Sequence, residues 1–116
     1  MMHIDEYREY CLARKGVTES FPFDEHVLVF KVMGKMFALC NIDNYKGFSL
    51  KCDPEYAIEL RETYPDLIQA AWHMSKKHWN TVSAEGLNTK LQKELIDHSY
   101  DLVVSSLPKK TQAELD

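Results

Sequence analysis

Val27-Leu28-Val29-Phe30-Lys31-Val32-Met33-Gly34-Lys35-Met36-Phe37-Ala38-Leu39-Cys40-Asn41-Ile42 is the stretch whose reading decides the architecture. Two runs rich in apolar and β-branched residues, Val27 to Met33 and Met36 to Ile42, flank Gly34-Lys35. That pair suits a tight turn, so the runs read as a β-hairpin. Strict alternation sends Leu28, Phe30 and Val32 to one face and Lys31 to the other. Asp43-Asn44-Tyr45-Lys46-Gly47 has the composition of a second hairpin loop. It leads into a third strand, Phe48 to Cys52, where Phe48 and Leu50 point one way and Ser49 and Lys51 the other. The expected unit is an antiparallel meander with one covered face and one face carrying lysines.

Helical periodicity appears on both sides of this meander. Ile4, Tyr7, Cys11 and Leu12 recur at helical spacing within residues 3–14, and Gly16 follows as a residue able to end a helix. Phe21-Pro22-Phe23 then enters the first strand through an extended turn, because Pro22 biases Phe21 away from helix. Downstream, Asp53-Pro54-Glu55 is a helix start: an acceptor at the N-cap, proline at the first helical position and an acid in the first turn. Ala57, Ile58, Leu60 and Tyr64 form its apolar face, and Pro65 ends it. Residues 67–74 and 78–83 read as extended, the second run carrying the β-formers Trp79, Thr81 and Val82; Ala70-Ala71-Trp72 is also compatible with a helical turn. A last helix begins near Asn88-Thr89, with Thr89 and Gln92 at capping-box spacing. Its stripe of Leu91, Leu95, Ile96, Ser99, Leu102, Val103 and Leu107 runs to Pro108. The tail 109–116 is expected to fray.

The predicted order is therefore α-β-β-β-α-β-β-α. Strands in blocks, not alternating one by one with helices, indicate the α+β class, an antiparallel sheet packed by helices. At 116 residues the chain fits one domain spanning 1–116.

Composition bounds the function. Three cysteines, Cys11, Cys40 and Cys52, are an odd number without a C-x-x-C pair, which fits buried thiols in a reducing interior. The N-terminus lacks the basic start and apolar run of a signal peptide, and no window approaches the ~20 apolar residues of a membrane span. A cytoplasmic, non-membrane protein is expected. Net charge is −4, yet residues 26–52 carry +3 (Lys31, Lys35, Lys46 and Lys51 against Asp43) and residues 67–84 carry +2. The rest of the chain is strongly acidic, so the strand-like segments are the basic ones.

Patterns for catalysis are missing. The glycines are scattered and form no phosphate-cradling loop. Asp97-His98-Ser99 holds the residue types of a hydrolase triad, but consecutive helical neighbours do not face one another. His73 and His78 are five apart, matching neither H-E-x-x-H nor a Cys/His zinc spacing. No catalytic residue, metal or cofactor is expected.

His73-Met74-Ser75-Lys76-Lys77-His78-Trp79-Asn80-Thr81 stands apart from the rest. Two lysines between two imidazoles, followed by Trp, Asn and Thr, can neutralise phosphate, stack and donate hydrogen bonds. The same letters also describe an amphipathic strand whose lysines reach solvent. The charged strand segments add Lys31, Lys35, Lys46 and Lys51 as candidates for one shared sheet face.

With these features assembled, the chain resembles the MmcQ/YjbR family of small bacterial proteins. The likeness is carried by Phe21-Pro22-Phe23, Phe30-Lys31-Val32, Lys35-Met36-Phe37-Ala38, Leu50-Lys51, Leu60-Arg61 and Tyr64. It continues through Lys77-His78-Trp79-Asn80-Thr81-Val82, Asp97-His98-Ser99-Tyr100, Leu102-Val103 and Leu107-Pro108. Three departures from the family pattern are Ser75 for a common Asn, Asp24 for a common Gly, and a Gly86 loop one residue shorter. The resemblance implies a sandwich similar to frataxin-like and secretion-chaperone-like folds, and DNA binding through hairpins acting as a double wing. On that reading Lys31, Lys35, Lys51, Lys76 and Lys77 contact the phosphates of double-stranded DNA, while His73, His78, Trp79 and Asn80 add stacking or base contacts. Two alternatives stay open. The face could serve a non-enzymatic protein-interaction or small-ligand module beside Trp72 and Trp79, or Trp79, Phe37 and His78 could hold the sheet together.

Overall fold

The computed structural model describes residues 1–71 and 73–115. Helix α1 (Ile4–Leu12) leads into strands β1 (Val17–Ser20), β2 (Val27–Val32), β3 (Lys35–Asn41) and β4 (Gly47–Lys51). Helix α2 (Pro54–Thr63), strands β5 (Ile68–Ala70) and β6 (Trp79–Ser83), and helices α3 (Thr89–Ser106) and α4 (Lys109–Ala113) follow. The strands form one sheet in the order β1-β2-β3-β4-β6-β5, antiparallel throughout. This is the expected α+β class, with the meander β2-β3-β4 at its centre.

Two elements exceed the expected order. β1 pairs its backbone with β2, Val17 opposite Val32 and Ser20 opposite Val29; it was invisible to periodicity because Val17 is its only apolar residue. The tail does not fray across its length: it turns into α4, where Gln112 Nε2 donates to Leu107 O at 2.7 Å and Leu115 packs on the core. Asp116, the last residue of the predicted tail, lies outside the described residues, as does Trp72.

The first hairpin turn is Met33-Gly34, not Gly34-Lys35, since Val32 pairs directly with Lys35. Both turn residues have positive φ, 49° and 87°, the geometry that matches strand twist in a two-residue loop. A bulge follows, because Phe30 faces Ala38 while Lys31 faces Met36. The extra residue on β3 is Phe37, so Phe37 and Ala38 are both buried.

All three long helices lie on one face. Tyr7 of α1 stacks on Phe48 with centroids 4.3 Å apart and meets Phe30 edge-on at 5.5 Å. In α3, Ser99 Oγ donates to Phe37 O at 2.5 Å and Tyr100 Oη to Lys15 O at 2.6 Å. Each fully buried aromatic here contributes roughly 1.5–3 kcal/mol from area alone. The α3 start differs from the expected capping box. Asn88, not Thr89, caps it, its Oδ1 accepting from Lys90 N and Leu91 N. Gln92 is buried instead, its Nε2 donating to Ser83 O and Ala84 O. α2 starts as read: Asp53 accepts from Tyr56 N, with Pro54 at the first position.

Among the described residues no helix covers the other face of the sheet, and the site lies there.

Candidate nucleic-acid interface

Pairing arranges the uncovered face in rows that cross the strands. One row contains Thr18, Lys31 and Met36, with Lys51 and Trp79 across β4 and β6. The next runs the full width of the sheet: Ser20, Val29, Leu39, Ser49, Thr81 and Gln69. A third holds Val27 opposite Asn41, and Gly47 opposite Ser83. Gly47 is dictated by close backbone approach, since a Cβ there would stand 2.2 Å from Val82 O.

Antiparallel pairing decides which charges meet. The end of β2, the start of β3, the end of β4 and the start of β6 all fall at one edge of this face. Lys31 and Lys51 are half-exposed; Lys35 is exposed beside the turn but, opposite core-facing Val32, belongs by register to the helix side and not to the face expected for it. Lys76 and Lys77 are exposed on the loop just before β6. Among the described residues none of these five lysines makes an ion pair. Arg61 reaches the same loop, donating to Lys76 O at 3.3 Å.

Lys46 does not join them. It belongs to the β3–β4 loop at the opposite end, where its carbonyl accepts from Ala84 N. That end is acidic. His26 pairs with Asp43 and, at 3.6 Å, with Glu25. Asp24 accepts from His26 N and Val27 N at 2.8 and 2.9 Å, and these two backbone bonds hold its carboxyl below the usual range. The uncovered face is thus basic at one end and acidic at the other.

The motif residues divide sharply. Trp79 is only 6% exposed and Asn80 2%. Asn80 faces the helices: its Nδ2 donates to Ala57 O at 3.2 Å, and its Oδ1 accepts from Arg61 Nη1 at 2.7 Å. It is occupied as a tie between β6 and α2, so the expected base contact from Asn80 does not fit its position, and Trp79 has little ring surface to offer. His78 is half-buried and works through its backbone, which donates to Ser75 O and accepts from Cys52 N at 2.7 Å. His73 is exposed and lines the groove described next.

Residues not singled out from sequence build that groove. The loop 21–26 and the segment 73–78 rise on either side of the full-width row. Between them lies a recess of about 510 Å³, adjoining one of about 760 Å³ that extends past Asn44 and Lys46 toward Asp66 and Gln69. Ser49 Oγ and Thr81 Oγ1 lie 3.1 Å apart on the floor, and Phe23, 62% exposed, stands in the wall. Only the β4–β6 pairing, across a long sequence gap, brings Ser49 to Thr81.

Elsewhere the chemistry is occupied. Asp97 accepts from Tyr10 Oη at 2.8 Å and from Arg14 Nη1 at 2.5 Å. His98 Nε2 accepts from Asp53 N at 3.2 Å, and Ser99 is spent on Phe37. The three consecutive residues thus point to three different partners. The thiols are buried and free; burial pushes Cys40 up to about 12 and Cys52 to about 11, and Cys11 higher still, so they stay protonated and weakly nucleophilic. Among the described residues no group of three or more His, Cys, Asp or Glu is placed to hold a metal, and no helix is long and apolar enough to cross a membrane.

Comparison with known proteins agrees with the architecture. The YjbR family pattern matches residues 12–102. The chain is 35% identical over 109 residues to the uncharacterized protein YjbR of Escherichia coli strain K12, covering 92% of each. It is 36% identical over 94 residues to the uncharacterized protein YbdF of Escherichia coli O157:H7, covering 79% of this chain and 76% of that one. The crystal structure of Deinococcus radiodurans protein DR2400, with domain DUF419, superposes with a TM-score of 0.91 at 39% identity, covering 99% of this chain and 88% of that one. A Pseudomonas syringae crystal structure gives 0.72 at 27% identity, with 87% and 98% covered. The family pattern over most of the chain, and identity above one third along nearly its whole length, give one conclusion: the chain belongs to the YjbR family.

Proposed function

We propose that this protein binds double-stranded DNA through the basic end of its uncovered sheet face. One observation carries the reading: Lys31 of β2, Lys51 of β4 and the Lys76-Lys77 loop before β6 lie at one end, with Lys35 at the turn beside them, and among the described residues none is paired with an acid. Strands lie about 4.8 Å apart, so Lys31 and Lys51, with β3 between them, stand roughly 10 Å apart. Flexible lysine stems bridge that spacing to successive phosphates. The acidic opposite end orients the molecule, turning the lysines toward a polyanion. Two projections suit a double-wing contact, the Met33-Gly34 turn and the Lys76-Lys77 loop. The Ile42–Lys46 loop is excluded from that role by its place at the acidic end. The protein is a binding module in this reading, working in a reducing compartment where its thiols stay free.

Duplex DNA titrated by fluorescence anisotropy tests it. Five phosphate contacts give a slope of log affinity against log salt of about −4.5. Lys76→Glu/Lys77→Glu weakens binding and flattens the slope. Absence of binding at ~50 mM salt, where phosphate contacts are strongest, sinks the proposal. The groove favours a second reading, a small-ligand module that needs no lysine; a metabolite retained through purification and expelled by Thr81→Trp would support it over DNA.

A further inference from the structure

We infer that the groove over Ser49 and Thr81 receives the base and sugar of one unstacked nucleotide, whose phosphate rests on the neighbouring lysine row. This deepens the DNA-binding proposal and rests on it. Four observations meet at this place.

The full-width row changes character halfway across. Leu39, with Val27 beside it, gives the apolar lining, Val29 itself being fully buried, whereas Ser49, Thr81 and Gln69 carry hydroxyls and an amide. A nucleotide has the same division, a flat apolar ring face joined to polar edges and a sugar. The Ser49–Thr81 hydroxyl pair spends one hydrogen on its mutual bond, which leaves one hydroxyl hydrogen and free lone pairs to meet such an edge. Phe23 is the most exposed large hydrophobic side chain among the described residues, at 62%, and it borders the recess instead of packing into the core. An aromatic ring held there presents a stacking platform.

Distance then separates a nucleotide from a neutral ligand. Ser49 and Lys51 sit on the same face two residues apart along β4, roughly 7 Å, comparable to the span from a nucleobase to its own phosphate. The recess of about 510 Å³ lies within the usual range for small-molecule sites. A base inside an intact duplex cannot enter a recess walled on both sides, so the nucleotide must be unstacked. Such a nucleotide reaches the groove either free or within a single strand.

The test compares a labelled single strand of about 12 nucleotides with a fully paired duplex of the same sequence, and adds an unlabelled nucleoside monophosphate as competitor. Expected is at least about fivefold tighter binding of the single strand, in line with one stacked base. Phe23→Ala, at an exposed position that leaves the core intact, removes this preference without changing duplex affinity. Thr81→Val, equally exposed, lowers it independently. Competition by the monophosphate assigns the recess to free and strand-borne nucleotides alike, and its absence assigns it to strand-borne ones; both support the inference. Duplex binding with no single-strand preference overturns this inference alone, as does a Phe23→Ala loss equal for both nucleic acids. Failure of both nucleic acids to bind overturns the inference and the DNA proposal together.

Discussion

Arg61 Nη1 of α2 donates to Asn80 Oδ1 of β6 at 2.7 Å, and the same nitrogen reaches Lys76 O at 3.3 Å. One guanidinium therefore ties together the helix, the strand and the basic loop ahead of it. Asn80 returns a buried bond to Ala57 O, so the two elements are tied in both directions, the Arg61 end being half-buried.

Removing Asn80 exposes what that tie is worth. Asn80→Ala leaves Ala57 O and the guanidinium each short of a buried partner, costing about 2 kcal/mol. Urea denaturation should show the lowered midpoint. DNA affinity per folded molecule should stay within about twofold of the parent, since loss of one exposed-face contact is not involved. A large affinity loss with unchanged stability would return Asn80 to the interface.

Single lysine substitutions map the interface. Lys31→Ala and Lys51→Ala should each reduce the salt slope by about 0.9, the contribution of one phosphate contact. Lys46→Ala, at the acidic end, should leave the slope unaltered. The contrast between lysines of the same sequence segment is read directly from anisotropy titrations at several salt concentrations.

Gly47→Ala tests the packing of β4 on β6. The added Cβ would meet the Val82 carbonyl at 2.2 Å, and backbone cannot yield as a side-chain tip does. Destabilisation of about 2 kcal/mol or more is expected, visible as a lower thermal midpoint.

His98 makes stability depend on pH. Its Nε2 accepts the Asp53 N–H and its ring meets Tyr56 edge-on at 5.1 Å, so the folded state requires the neutral ring. Burial lowers its pKa below the ordinary histidine value, against opposing pulls from Asp53 and Asp101. The unfolded chain therefore binds this proton more readily. The contribution is complete above the unfolded value of about 6.5 and is lost as pH falls from there through the folded value. Urea midpoints at pH 7.5 and about pH 5 should differ less in His98→Gln than in the parent. Ring NMR titration should show His98 gaining its proton at lower pH than a free histidine.

Much of this fold was legible because period-two alternation is a strong local signal. Alternation by itself separates core-facing Leu28, Phe30 and Val32 from Lys31, and Phe48 and Leu50 from Ser49 and Lys51 on the open face. What escaped depends on partners distant in the chain. Val17 to Ser20 shows one apolar residue, and its strand state comes from backbone bonds to β2. α4 is held through Leu115, whose side chain lies against Gly16 at the far end of the sequence. Thr89 and Asn88 are both competent caps, and the choice fell to Asn88 because Gln92 is drawn inward by Ser83 and Ala84. Asn80 looked available for recognition since an amide in a strand usually reaches water; the Arg61 side chain that claims it comes from another element. The lysine cluster was half-legible: charge segregation named its members, but only strand direction separates Lys46 from the rest.

The sheet's two margins have a consequence for behaviour at high concentration. β1 is four residues long and β5 three, both below the ordinary strand length of about five or six. Glu19 on β1 is held in a two-point ion pair with Arg8, at 2.7 and 2.5 Å. Each margin thus offers a stranger chain only a brief ladder of unpaired backbone groups, one of them guarded by charge. A six-stranded sheet with one face bare is in this way poorly equipped to recruit further strands, and the bare face stays available for a ligand instead of seeding fibrils.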